Sequence, residues 1–136
     1  YDVRKHELKR FLEAQNVPYV EDEYDHHEWL SVIKGLEDEP ERGSRCSVCF
    51  QFRLSHAAKY AQEHGFHLLT TTLASSRWKN IRQIDTAGHL AVEAYPDVEW
   101  WDMNWRKGGL QNRRGELLRI NEFYNQLYCG CEFSMR

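Results

Sequence analysis

Apolar residues recur every three or four positions in five segments of the chain, which is the spacing of a helix that buries one face. The segments are 3–12, 29–33, 50–61, 81–92 and 110–127. Pro18 ends the first predicted helix, Gly65 is placed to cap the third, and Pro96 closes the fourth. The last pattern predicts a helix that is broken near Gly115 or Glu122.

Short apolar runs between these helices predict three β-strands, at 19–20, 66–73 and 98–103. The second run is rich in Leu and Thr, which predicts a strand that is buried on both faces. Strands that alternate with helices favour right-handed crossovers and a parallel sheet. We therefore predict one α/β domain over residues 1–136, a three-layer fold with helices on both faces of the sheet. Because three strands make a thin sheet and a helix comes first, we also expect a further strand upstream of Tyr1.

The composition is that of a globular protein, with 41% hydrophobic and 29% charged residues, and it excludes collagen-like and disordered chains. The apolar runs are only a few residues long, so no segment is expected to cross a membrane. The chain opens without a basic-then-apolar leader, which predicts a cytoplasmic protein. Four cysteines are too few to staple a domain of this size, so we expect thiols or metal ligands instead of disulfides.

The formal net charge of −3 is unevenly distributed along the chain. Residues 21–42 contain nine Asp or Glu and two Lys or Arg, whereas residues 105–119 contain five Lys or Arg and one Glu. A charge run is either a solvated face or, where it is basic, a contact for phosphates. The overall acidity argues against indiscriminate nucleic-acid binding and permits a local contact.

The four cysteines form two close pairs that are candidate metal ligands. Cys46 and Cys49 form a C-x-x-C at the start of the third predicted helix, where residues three apart share a face and backbone N–H groups favour thiolates. Cys129 and Cys131 flank Gly130, which permits a turn tight enough to aim both sulfurs at one centre. Four thiolates could hold structural zinc or an iron–sulfur centre, and the spacing of the cysteines favours zinc. A redox dithiol or unligated thiols stay open, although the charged loop before Cys46 argues against a thioredoxin-like motif.

Several motifs of the chain resemble those of a known family. The acidic run GLEDEPERG at 35–43 is followed by RCSVCF at 45–50, and TTTL, WRKGG and YCGC follow at 70–73, 105–109 and 128–131. In this order, and over essentially the whole chain, they resemble the QueH-type epoxyqueuosine reductases. That family normally begins with a strand and a Cys-Cys motif, and this chain contains neither.

The resemblance implies an oxidoreductase that reduces epoxyqueuosine to queuosine at the wobble position of tRNA. It also implies a 4Fe-4S cluster with an additional iron, no cobalamin, and a fold similar to the HUP-type nucleotide-binding domains. The implied partners are a tRNA that bears epoxyqueuosine and an unidentified electron donor. Without the Cys-Cys motif, the ligands that the chain offers are Cys46, Cys49, Cys129 and Cys131. The alternative is a zinc-stapled RNA-binding module without catalysis.

Charged residues near the C-x-x-C are further candidates for this chemistry. Asp25 or Glu39 would serve as an extra metal ligand or as a proton donor, and the alternative is a solvated or capping carboxylate. Arg45 and Arg53 flank the cysteines of the predicted helix. They could offset thiolate charge or hold a phosphate, with plain surface salt bridges as the alternative.

A last group of residues would contact the tRNA. Thr71, Ser75 and Lys79 lie where a predicted strand leads into a helix, a position that suits ribose or phosphate contacts as well as ordinary capping. Aromatic residues could stack on an extruded base, and the basic stretch could contact phosphates. The candidates for these two roles are Trp78, Trp105, Arg106, Lys107 and Tyr128.

Overall fold

The computed structural model describes residues 1–135, which form two compact units, one of residues 1–25 and 112–135 and one of residues 26–111. The helices of this part of the chain are α1 (Asp2–Ala14), α2 (His26–Val32), α3 (Ser44–Glu63), α4 (Ile81–Glu93) and α5 (Leu110–Ile120). Two short strands, β1 (Leu68–Leu69) and β2 (Glu99–Trp100), and two 3₁₀ turns, Thr72–Ser75 and Glu132–Ser134, complete the description.

In the first unit, α1 holds the segment that follows α5. The ring of Phe11 meets the ring of Phe123 edge-on, with the centroids 5.3 Å apart. The Glu7 carboxylate accepts a hydrogen bond from the Tyr124 backbone N–H at 2.7 Å. One apolar and one polar contact therefore fix the C-terminal segment against the first helix.

In the second unit, the core lies between α3, α4 and the small sheet. Its buried members are Phe50, Leu54, Ala58, Leu73, Ile84, Ala87, Ala91 and Trp100. Asn80 starts α4 by accepting hydrogen bonds from the backbone N–H groups of Arg82 and Gln83 at 3.0 and 3.3 Å. The apolar face predicted for α4 is buried, and the helix packs against α3.

The two strands are parallel, with Leu68 opposite Glu99 and Leu69 opposite Trp100. The Leu69 carbonyl accepts a hydrogen bond from the Trp101 backbone N–H at 2.8 Å. Because α4 lies between the strands in the chain, they form a β–α–β unit. The structure is therefore a mixed helix and parallel-sheet fold, as an α/β class requires.

The predicted helices are confirmed in number, order and approximate bounds within residues 1–135. Gly65 follows α3 with a φ of +73°, as a C-terminal cap requires, and α5 ends before Glu122, which has a φ of +52°. The break predicted near Glu122 is therefore confirmed, whereas α5 runs through Gly115 and the helix does not resume between residues 121 and 127. Within residues 1–135, no helix is long and apolar enough to span a membrane.

The predicted strands are only partly confirmed. Residues 19–20 form no strand, and Val20 is 65% exposed, so that prediction was wrong. The run at 66–73 pairs only at 68–69 and is not buried on both faces, since Leu68 is 56% exposed. The strand stops there because Thr71 Oγ1 accepts from the Leu73 backbone N–H at 3.2 Å and starts a 3₁₀ turn.

The close approach of α4 to the sheet makes Gly88 sensitive to substitution. A Cβ atom at Gly88 would lie 2.2 Å from Trp100 Cε2, inside the indole ring system. We expect Gly88→Ala to lower the free energy of unfolding by about 2–3 kcal/mol in urea titrations, because the buried indole has to move. Gly115→Ala is the matched control, since a Cβ atom there meets nothing within 4 Å. It should be neutral or stabilising by up to about 1 kcal/mol, and equal losses in both variants would contradict the packing argument.

Candidate functional site

Cys46 lies in the first turn of α3 and Cys49 in the second, so the two side chains share one face of the helix. The chain enters the helix through Gly43, whose carbonyl accepts a hydrogen bond from the Cys46 backbone N–H at 3.1 Å. Both cysteines are half-buried. The prediction of a cysteine pair at a helix start is therefore confirmed.

Each of these sulfurs accepts a hydrogen bond from a nitrogen outside α3. Trp29 Nε1, in α2, donates to Cys49 Sγ at 3.3 Å. The Arg42 backbone N–H donates to Cys46 Sγ at 3.3 Å. Such donors stabilise negative charge on sulfur, so the pair fits the thiolate ligands that soft metals and iron–sulfur clusters take. The sequence predicted neither donor, because both contacts arise only when the chain folds.

Arg45 holds the acidic loop that precedes α3. Its side chain is 2% exposed, and Nη1 donates to the carbonyls of Leu36, Glu37 and Glu39 at 3.2, 2.7 and 2.6 Å. The guanidinium therefore binds backbone oxygens within the protein. This role differs from the phosphate contact, thiolate partner and surface salt bridge that the sequence left open. Arg53, further along α3, is exposed.

The acids of this region have mostly local partners. Glu39 Oε2 accepts from the Ser44 backbone N–H at 3.2 Å, so its carboxylate caps α3. Glu37 Oε2 accepts from the Gly35 backbone N–H at 2.8 Å. Hydrogen bonds from the backbone N–H groups of Glu37 and Gly35 hold the pKa of the Glu37 carboxyl below its usual range. Asp25 is exposed and belongs to the first unit.

The hydroxyl candidates at the end of β1 also make local contacts. Thr71 accepts at the start of the 3₁₀ turn, and Ser75 Oγ donates to the Thr72 carbonyl at 2.7 Å. Thr71 therefore caps the 3₁₀ turn, whereas Ser75 donates within it. The ribose or phosphate contacts of both residues stay a prediction. Lys79 Nζ lies 5.7 Å from the centroid of the Phe50 ring, so the ammonium group lies next to a core residue of α3.

The structure brings two of the predicted tRNA-binding segments together, because Arg106 bonds to the segment after β1. Arg106 Nη1 donates to the carbonyls of Ser76 and Lys79 at 3.2 and 3.3 Å. The neighbouring Trp105 ring packs edge-on against Trp101, with the centroids 5.3 Å apart. Lys107 is exposed.

An exposed aromatic residue lies in the same segment. Trp78 is 46% exposed, and the Arg77 guanidinium carbon lies 4.7 Å from the centroid of its ring. With Lys79 and Arg106, this pair forms a surface that carries both a stacking platform and positive charge. We call residues 76–79 the Trp78 segment.

The second cysteine pair lies in the first unit. Cys129 and Cys131 are half-buried, and Gly130 between them has a φ of +96°. That left-handed backbone makes the tight turn predicted from the sequence. Tyr128, just before the pair, is exposed.

The four cysteines belong to two different units, one pair to each. Within residues 1–135, no group of three or more Cys, His, Asp or Glu side chains is gathered to hold a metal ion. The four-cysteine ligand set therefore stays a prediction.

Comparison with known proteins gives one consistent result. The family model described as Epoxyqueuosine reductase QueH matches residues 1–136. Relatives with the same name are 48% identical in Histophilus somni (strain 129Pt) and 46% identical in Acinetobacter baylyi, each over 136 residues and the whole of this chain. The chain spans 56% and 62% of these two relatives. A relative with that name in Thermotoga maritima is 35% identical over 107 residues, which is 79% of this chain and 55% of the relative.

The buried guanidinium of Arg45 predicts that the acidic loop depends on it. We expect Arg45→Met to lower the free energy of unfolding by about 2–3 kcal/mol, because three loop carbonyls lose a charged donor. Amide hydrogen exchange over residues 35–41 should become faster. Arg53→Met, which removes an exposed arginine from the same helix, should stay within about 0.5 kcal/mol of the parent. An Arg45→Met protein with parental stability and exchange would contradict this role.

Proposed function

The chain belongs to the epoxyqueuosine reductase QueH family, and from this membership we propose that the protein reduces epoxyqueuosine to queuosine at the wobble position of tRNA. The observation that carries the proposal is the family match over residues 1–136. The motifs at 35–50, 105–109 and 128–131 lie within that match.

The proposed reaction is a two-electron reduction. Conversion of an epoxide to an alkene removes the oxygen as water and consumes two electrons and two protons. The usual side chains do not supply two electrons in each turnover, so a redox cofactor and an external electron donor are required. A 4Fe-4S cluster with an additional iron would supply electron transfer from the unidentified donor, with zinc as the alternative metal if the protein is not catalytic.

We propose that Cys46, Cys49, Cys129 and Cys131 hold this centre as thiolates. The first pair supports the proposal best, because the indole N–H of Trp29 and the backbone N–H of Arg42 already meet its sulfurs. Both donors would remain in place around a sulfur that carries negative charge.

Asp25 and Glu39 are the proposed proton donors or extra ligands. Asp25 is exposed, whereas Glu39 would have to give up its hydrogen bond to the Ser44 backbone N–H. Proton delivery to the leaving oxygen requires a protonated carboxyl within hydrogen-bond distance.

The tRNA is proposed to contact the Trp78 segment and the basic residues beside it. An extruded base can stack on Trp78 or Trp105, while cations bind the flanking phosphates. Supporting positions for phosphate, ribose or base contacts are Arg45, Arg53, Thr71, Ser75, Lys79, Arg106, Lys107 and Tyr128. Of these, Arg45 would act indirectly, because its guanidinium is buried against the acidic loop.

The finer fold assignment is part of the same proposal. The parallel β1–α4–β2 unit supports a three-layer sheet of the HUP type, in which a site lies at the carboxyl ends of the strands. The Trp78 segment follows β1, and residues 101–107 follow β2. Both segments therefore come after the carboxyl end of a strand, which is where a site of this fold is expected. The single-domain organisation over residues 1–136 stays a prediction.

Metal content and product analysis test the proposal directly. Protein purified without oxygen should contain iron and acid-labile sulfide, show visible charge-transfer absorbance, and convert epoxyqueuosine to queuosine in tRNA, as measured by nucleoside mass spectrometry. Cys46→Ser and Cys49→Ser should each lower this conversion more than about 100-fold, because each removes a thiolate.

Gln51→Ser is the matched control, since it changes an exposed residue of the same helix to the same side chain. It should retain both the centre and the activity. About one zinc per chain with no sulfide would instead favour the RNA-binding module. Turnover by metal-free protein would favour a thiol–disulfide oxidoreductase.

A further inference from the structure

Arg42 has an unusual backbone conformation at the end of the acidic loop. Its φ is +67°, in the left-handed region that non-glycine residues rarely adopt. Its N–H donates to Cys46 Sγ at 3.3 Å, and its carbonyl accepts from Gln83 Nε2 at 3.0 Å. Both the N–H and the carbonyl of this strained residue are therefore hydrogen-bonded.

Gln83 fixes the same turn to α4. Besides the Arg42 carbonyl, its Nε2 donates to the Gly43 carbonyl at 3.0 Å and to Ser47 Oγ at 2.5 Å. The side-chain amide thus joins the last loop residues to the first turn of α3. This anchoring explains how the left-handed conformation of Arg42 is maintained.

The side chain of Arg42 reaches a different part of the same unit. Its Nε donates to the Trp78 carbonyl at 3.0 Å, and its Nη2 donates to the Arg77 carbonyl at 3.2 Å. Two donors of one planar guanidinium therefore hold the backbone of two successive residues. One residue spans the distance from the Cys46 sulfur to the Trp78 segment.

We propose that Arg42 is a positioning residue that ties the RNA-contacting Trp78 segment to the Cys46 sulfur. Its guanidinium holds the segment, and its left-handed backbone aims the N–H at the sulfur. The relevance to catalysis rests on the proposed function, since that function makes Cys46 a metal ligand and Trp78 a base-stacking residue. The two contacts themselves do not depend on it.

The two contacts of Arg42 predict different effects for two substitutions. Arg42→Gly removes the guanidinium, but glycine adopts a positive φ without cost, so the N–H stays on Cys46 Sγ. Arg42→Ala removes the guanidinium contacts that help Gln83 to hold the positive φ, a conformation that is unfavourable for alanine, so the backbone relaxes and the N–H leaves the sulfur. Comparison of the two variants therefore separates the backbone contact from the side-chain contact.

The experiment measures amide hydrogen exchange in metal-free protein and the affinity of an anticodon stem-loop RNA. Both variants should speed exchange over residues 76–79 and weaken RNA binding about tenfold, because a loosened segment must be ordered again on binding. The amide of residue 42 should stay protected in Arg42→Gly but exchange quickly in Arg42→Ala and in Cys46→Ala. In iron–sulfur-loaded protein, the midpoint potential should fall in Arg42→Ala and not in Arg42→Gly, because an N–H donor to sulfur favours the reduced state.

Arg82→Ala is the control, an exposed arginine of α4 in the same unit. It should match the parent in every measurement. Parental exchange at residues 76–79 in both Arg42 variants would overturn the side-chain contact, and equal exchange of amide 42 in the two variants would overturn the backbone contact. If the parent bound no RNA or took up no iron, the proposed function would fail, while amide exchange would still decide whether Arg42 positions both groups.

Discussion

The contact on which the cysteine region depends is the burial of one guanidinium among backbone carbonyls. The loop from residue 35 to residue 43 carries four acids, whose mutual repulsion favours an open chain. Arg45 opposes this by binding the carbonyls of Leu36, Glu37 and Glu39. A buried cation requires such acceptors, since an unpaired charge away from water is costly. Once the loop is closed, the Glu39 carboxylate reaches the N-terminus of α3, and the two cysteines lie in the first two turns of that helix.

Helix α4 connects this loop to the core. Ile84 and Gly88 lie in the apolar face of the helix, where the missing Cβ of Gly88 lets the indole of Trp100 approach. The Trp100 Nε1 donates to Asp85 Oδ1 at 3.3 Å, while burial raises the pKa of that carboxyl. Gln83, one residue before Ile84, bonds to the loop instead. A shift of α4 against the sheet would therefore also move the turn that carries the donor to Cys46.

The sequence predicts the helices well because the apolar periodicity of four of the five repeats over ten or more residues and depends on burial alone. It predicts the strands poorly, because a run of four to eight apolar residues can also form a turn or an exposed segment. Leu68 belongs to such a run and is largely exposed. The cysteine pair at the start of α3 was predictable from its spacing. Its donors, Trp29 and Arg42, were not, because each contact joins elements that periodicity cannot place together. The burial of Arg45 was not predicted, because a charge pattern does not distinguish a buried cation from a solvated one.

The distribution of hydrogen-bond partners also explains how an acidic protein can offer a surface to the proposed RNA partner. The acids Glu37 and Glu39 direct their carboxylates at backbone N–H groups of their own loop and of α3. Arg106 instead donates to neutral carbonyls of the Trp78 segment, so its positive charge is not cancelled by an acid in that contact. Because salt screens charges beyond about 8–10 Å, a phosphate at this surface responds to these nearby cations more than to the net charge of −3. The local pattern, in which acids bind backbone N–H groups and cations remain beside an exposed indole, therefore decides where an anion can bind.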